Sequence, residues 1–209
     1  ISNKILLRLS FFLILYFSFS TVLTHASGAY DNGTATGKGK IGLDLTWNPF
    51  NYFPNGQTYA VISYGINNYF DIHGYFSIPT KGSENYYIGF FYQFFKHNYL
   101  DLSTAIGTRR YVSRSDQHLF APQLLFTFHY PKIFSIGGSI VNIRNIDKIN
   151  KVIGTTIDLS LIVPIYRSET LSNRVNSIDF TIGAFRPILW RPEKSPWHPT
   201  YSFDIKFNI

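Results

Sequence analysis

Six aspartates stand at alternate positions of stretches whose other positions are apolar: Asp44, Asp71, Asp101, Asp158, Asp179 and Asp204. They are half of the twelve acidic residues, and the basic company at similar places along their stretches is Lys206 and His73. Several carboxylates without matching cations are costly in a dry core. They either pair across neighbouring strands, as Lys206 beside Asp179 would, or they line a water-filled path that prefers cations. Nucleophilic chemistry would need a serine, a base and an orienting group close together. His118 lies near Ser113 and Ser115, and Asp71, His73 and Ser77 share a parity. Serine is common and the six histidines are scattered, so chance proximity explains both groupings better. No HExxH, cysteine cluster, phosphate-cradling glycine loop or EF-hand spacing occurs. Neither a metal nor a nucleotide cofactor is expected.

The elements that must position these residues are strands. The stretch from Thr58 to Pro79, TYAVISYGINNYFDIHGYFSIP, sets Phe70, Ile72, Phe76 and Ile78 against Tyr69, Asp71, His73, Tyr75 and Ser77, the period of a strand with one apolar and one polar face. Tyr59 to Ile66 is its antiparallel partner, and Gly65, Asn67 and Asn68 are expected to supply the positive φ of a tight turn. The alternation recurs along Lys40 to Asn48, Asn85 to Phe95, Tyr99 to about Arg109, Phe120 to Phe128, Phe134 to Ile140, Val152 to Val163, Ser177 to Ile182 and Tyr201 to Ile209. Pro122 interrupts its strand and predicts a local bulge. About ten strands result. The connections after odd strands are mostly long (NPFNYFPNGQ, RRYVSRSDQ, RNIDKINK and the Pro- and Trp-rich RPILWRPEKSPWHP), and those after even strands mostly short (INN, KHN, YPK).

Residues 1–26 read as a signal peptide that lacks its first residues, since the sequence starts with Ile and holds no Met. Lys4 and Arg8 precede an apolar run from Leu9 to Leu23, and small residues follow at Ala26, Ser27, Gly28 and Ala29. The run is short for a membrane-spanning helix, the alternative. Residues 27–39, small, polar and Gly-rich, read as a flexible tail, and residues 40–209 as the folded unit. The absence of cysteine excludes a disulfide framework. The formal net charge of +7 stays positive once Lys4 and Arg8 are removed, which favours anionic lipid or polysaccharide as a neighbour over nucleic acid. Aromatic residues (18%) outnumber charged ones (15%), a balance that suits a surface facing lipid better than one facing water. After the leader no segment is apolar for long enough to cross as a helix, so a membrane form must be a closed barrel.

In its leader, its ten-residue alternating strands, its long and short connections and its terminal aromatic strand YSFDIKFNI, the chain resembles bacterial outer-membrane β-barrel proteins of the small, porin-like kind. In that class the last strand carries a signal for the assembly machinery and often ends in Phe, where this chain has Ile209. The resemblance implies an all-β, antiparallel, up-and-down transmembrane barrel whose apolar parity faces lipid. The lumen would then be lined by Asp44, Asp71, His73, Asp101, Asp158, Asp179, Asp204 and Lys206. A basic rim of Arg109, Arg110, Arg114, Arg144, Lys148, Arg191 and Lys194 would face the phosphates of lipopolysaccharide, or simply be solvated. Trp47, Tyr59, Tyr69, Tyr99, Tyr130, Trp190 and Tyr201 would form interfacial girdles. The expected function is a passive channel for small polar or cationic solutes rather than an enzyme, with a closed structural, adhesive or lipopolysaccharide-binding barrel as the rival. A lipid-modifying enzyme stands third. A soluble barrel of lipocalin type would be recovered without detergent.

Overall fold

Alternating sequence closes into a barrel here because ten such strands give every strand two hydrogen-bonded neighbours and leave no edge. In the computed structural model the strands are β1 (Lys40–Asn48), β2 (Gln57–Gly65), β3 (Phe70–Pro79), β4 (Asn85–Lys96), β5 (Leu100–Tyr111), β6 (Gln117–Tyr130), β7 (Phe134–Asn145), β8 (Lys148–Arg167), β9 (Val175–Pro187) and β10 (His198–Asn208). Each pairs antiparallel with the next, and β1 pairs with β10 to close the barrel. The structure describes residues 32–48, 57–79, 84–113, 117–130, 133–168, 170, 172–188 and 197–209. The leader, residues 1–26, lies outside the described residues.

Burial alternates along the strands, and the pattern is that of a barrel in lipid. Ile62, Ile72, Phe76, Ile88, Phe90, Phe94, Leu124, Ile140 and Phe203 are exposed on the outside, while Asp71, Ser77, Gln93, Gln123 and Thr127 are fully enclosed. This is the up-and-down transmembrane barrel fold. The short turns after β2, β4 and β6 and the longer connection after β8 lie at the same end as the start of β1 and the end of β10; the other end carries the connections after odd strands.

Two local expectations change and a third holds. Gly65 is not in the left-handed region, where the described glycines are Gly37 (φ 94°) and Gly39 (φ 67°). A Cβ on Gly65 would fall on the Gly37 backbone, so its glycine is needed for close approach. The turn is closed by Asn67, whose Oδ1 accepts from the amides of Tyr69 and Phe70 at 2.8 and 2.9 Å. RNIDKINK is not a long loop: β7 and β8 run through it to a two-residue turn at Ile146 and Asp147. Arg144 braces that extension, donating to the carbonyls of Ala121 and Ile149 at 3.0 and 2.7 Å. At Pro122 the register slips between Phe120 and Gln123, as the proline predicts, and the slip turns Phe120 inward.

Phe120 joins an aromatic cluster that fills the long-loop half of the interior. Tyr59, Val61, Tyr75, Tyr87, Phe120, Val141 and Ile143 are buried together. Tyr75 stacks on Tyr87 at 5.1 Å, and Tyr59 and Phe120 meet them edge-on at 5.3 and 5.5 Å. Tyr87 fits because Gly89 and Gly107 face each other across β4 and β5, and a Cβ on either would overlap its phenol. Gln123 donates to the Tyr87 hydroxyl at 2.7 Å.

Gly107→Val is expected to unseat Tyr87 and to cost about 1–3 kcal/mol, as overpacking of a filled interior does, with Gly107→Ala milder. Tyr87→Phe, which keeps the ring and loses the hydroxyl bond, should cost about 1 kcal/mol. The urea midpoint of the barrel refolded in detergent reads both, and a Gly107→Val barrel as stable as the parent would contradict the seat.

Candidate functional site

The short-turn half of the lumen is organised by a segment outside the strands. Residues 27–39 are expected to be a flexible tail, but their described part, residues 32–39, enters the barrel and crosses its inner wall. The cause is a set of side chains from five neighbouring strands that converge on one short run of backbone. Thr127 on β6 accepts from the Gly33 amide at 2.8 Å, and Ser103 on β5 donates to the Gly33 carbonyl. Gln93 on β4 accepts from the Ala35 amide at 2.9 Å. Asp71 on β3 accepts from the Thr36 amide at 2.7 Å. The Thr34 hydroxyl donates to Asp101 Oδ2 at 2.9 Å, and the Thr36 hydroxyl meets Ser63 on β2 at 2.7 Å. Beneath the strap, Ala35 packs on Phe91, Ala105 and Leu125. Outside the lumen Gly39 donates its amide to the Gly65 carbonyl at 2.9 Å, where β1 begins.

Across from this strap the wall is small and polar. Thr46 on β1, Thr156, Asp158 and Ser160 on β8, Ser177, Asp179 and Thr181 on β9, and Thr200 and Ser202 on β10 are all buried. Asp44, Asp204 and Asp179 stand side by side in register on β1, β10 and β9. Strap and wall enclose a cavity of about 190 Å³, lined by Thr34 and Thr36 on one side and by Asp44, Asp179, Asp204 and Lys206 on the other. The row is held mainly by hydroxyls: Thr46 donates to Asp44 at 2.7 Å and Thr181 to Asp204 at 2.5 Å. Asp179 pairs with Arg167 at 2.5 Å, not with Lys206 as its position in sequence suggests. Asp158 accepts from Ser139 at 2.8 Å. All the lumen aspartates expected from sequence therefore face inward, as does His73, whose Nε2 lies 3.2 Å from the Tyr87 hydroxyl.

The rim and girdle sets divide. Arg109 does not project toward lipid headgroups. Its guanidinium lies over the rings of Tyr111 and Phe120 at 5.1 and 4.9 Å, with Nη2 3.1 Å from His118 Nδ1, because the aromatic cluster draws the cation inward. Arg144 is spent on backbone carbonyls. Arg110 and Lys148 are exposed. Tyr59 belongs to the internal cluster and not to a girdle. Tyr69, Tyr99 and Tyr130 are exposed at the short-turn end, with Tyr130 stacked on Phe134 at 5.2 Å, and Tyr201 is half-buried. Arg114, Trp190, Arg191, Lys194 and the side chain of Trp47 lie outside the described residues.

Sequence reasoning missed a chain of three groups. His129 bridges Asp101 (Nε2 to Oδ2, 2.9 Å) and Ser135 (Nδ1 to Oγ, 3.1 Å). These are the residue types of a nucleophile relay, but Asp101 is shared with Thr34 of the strap, which makes the chain part of the strap's seat. The parity His129 shares with Thr127, and its position opposite Ser135, are the signals that could have found it. Of the histidines grouped from sequence, His118 lies beside Arg109 and His73 beside Tyr87.

No protein-family model matches the chain, and no curated protein matches it. Among solved structures it is similar to one described as a KdgM porin, with a TM-score of 0.50 and 9% identity over 81% of this chain and 99% of that one. At that identity the likeness is one of fold, that of a small outer-membrane barrel.

Asp71→Ala removes the acceptor of the Thr36 amide from a fully buried position and should cost about 1–3 kcal/mol of local stability. Hydrogen exchange of the strap peptide should speed up while that of β8 to β10 stays as it was. Equal protection in parent and variant would mean that Asp71 does not hold the strap.

Proposed function

We propose that the protein is an outer-membrane channel, exported by a cleaved signal peptide, that passes small cations and small polar solutes without energy input. The observation that supports this most is the wall of hydroxyls and carboxylates on β8, β9, β10 and β1, which carries the Asp44, Asp204 and Asp179 row along the lumen cavity. Buried acids held by hydroxyls rather than by equal numbers of cations attract positive charge, and a wall of small side chains leaves a narrow path beside the aromatic cluster. The small-barrel fold and its likeness to a porin agree with this class. The outer-membrane setting brings lipid, lipopolysaccharide and the assembly machinery as partners, with the exposed Arg110 and Lys148 as the described part of a phosphate-facing rim.

The aromatic cluster from Tyr59 to Ile143 favours a second reading, a closed barrel with a structural, adhesive or lipopolysaccharide-binding role.

Single-channel current across a planar bilayer under a salt gradient separates the two. Cation-selective steps are expected, and Asp44→Asn with Asp204→Asn should lower the cation preference without abolishing the current. Selectivity unmoved by that pair would take the row out of the path, and silence from folded barrels would leave the closed barrel.

A further inference from the structure

The strap is recognised through its backbone. Three of its amides, at Gly33, Ala35 and Thr36, are each received by a side chain from a different strand, and the Gly33 carbonyl is bonded by a fourth. The apolar seat under Ala35 admits a small side chain between Phe91, Ala105 and Leu125. At position 33 there is no room for even one carbon, since a Cβ would stand 2.8 Å from the Phe126 Cα and 3.0 Å from the Asp101 carbonyl oxygen. Side chains that bind main-chain groups in sequence, with a slot for glycine and a shallow seat for alanine, constitute a peptide site.

The same contacts cover charge. Asp71 and Asp101, both buried, give one carboxylate oxygen each to the strap, while Asn32, Thr34 and Thr36 form one side of the lumen cavity. Lifting the strap would enlarge the cavity toward β2–β6 and add two carboxylates to its lining.

We infer that the inner wall of β2–β6 at the short-turn end is a binding site for a short glycine- and alanine-bearing peptide, occupied by this chain's own residues 32–39, and that this segment gates the lumen. The gating half rests on the channel reading above; the peptide site does not. Because the strap enters from the end where β1 begins, the gate opens toward the short-turn side. A peptide of the same sequence, NGTATGKG, supplied from that side competes for the wall.

The chain contains no cysteine, so a single engineered pair reports docking. Thr36→Cys with Ser63→Cys replaces two hydroxyls 2.7 Å apart, and the full chain in detergent should form that disulfide on mild oxidation, read by mass spectrometry of the linked peptides. The oxidised barrel should lose its current and regain it on reduction. Deletion of residues 32–38, which touches no strand, should give larger and more cation-selective steps, blocked by added NGTATGKG peptide. Gly33→Val, which leaves the wall intact, should behave like the deletion. Failure of the disulfide to form in folded barrels overturns the peptide site. Equal currents from locked and strapless barrels overturn the gate and leave the channel standing. No current even from strapless barrels that fold overturns both the gate and the channel, while the disulfide still decides the peptide site.

Discussion

Closure of β1 against β10 is the interaction on which the rest depends. Lipid offers no partner to a backbone amide or carbonyl, so an open edge there would leave a row of them unsatisfied. Once the sheet is closed, the outside can be apolar throughout, and every polar side chain on the inner parity must find its partner within the barrel. The lumen of this protein is a record of how those partners were found.

Two solutions divide the interior. In the long-loop half, bulk replaces polarity: Tyr59, Tyr75, Tyr87 and Phe120 pack as rings, with Tyr87 laid across the facing glycines of β4 and β5. Arg109 is drawn into that half by the two rings it covers. In the short-turn half Thr127, Ser103, Gln93 and Asp71 bond the main chain of the strap, which has one donor and one acceptor per residue to offer and needs little space, while Asp101 and Ser63 bond its threonine hydroxyls. The wall from β8 through β10 to β1 has no strap over it and, among the described residues, only Phe185 as a buried ring, and it is there that the carboxylate row meets open volume.

Strap and cavity are thus two faces of one arrangement. Asp71 and Asp101 are covered by the strap, and Asp44, Asp179 and Asp204 face the space beside it. A run of glycine, threonine and alanine lies over Asp71 and Asp101, whereas Asp44 and Asp204, which it does not cover, are only half-buried.

Alternation determined the strands, about ten of them, and the inward parity of Asp71, Asp101, Asp158 and Asp179, because a period of two assigns each side chain to a face without reference to anything distant; closure followed from what lipid demands of a backbone. Pro122 likewise announced its own bulge. Tertiary structure decided what that period cannot express. The register slip at Pro122 brought Phe120 inside, and the facing glycines gave Tyr87 its place. Asp179 paired with Arg167 and not with Lys206. Above all, residues 32–39, whose composition is the same for a loose tail and for a tightly seated strap, acquired a site. That site is made by Thr127, Ser103, Gln93, Asp71 and Ser63, which lie on five different strands and which the successive pairing of β2 to β6 sets side by side on one inner wall.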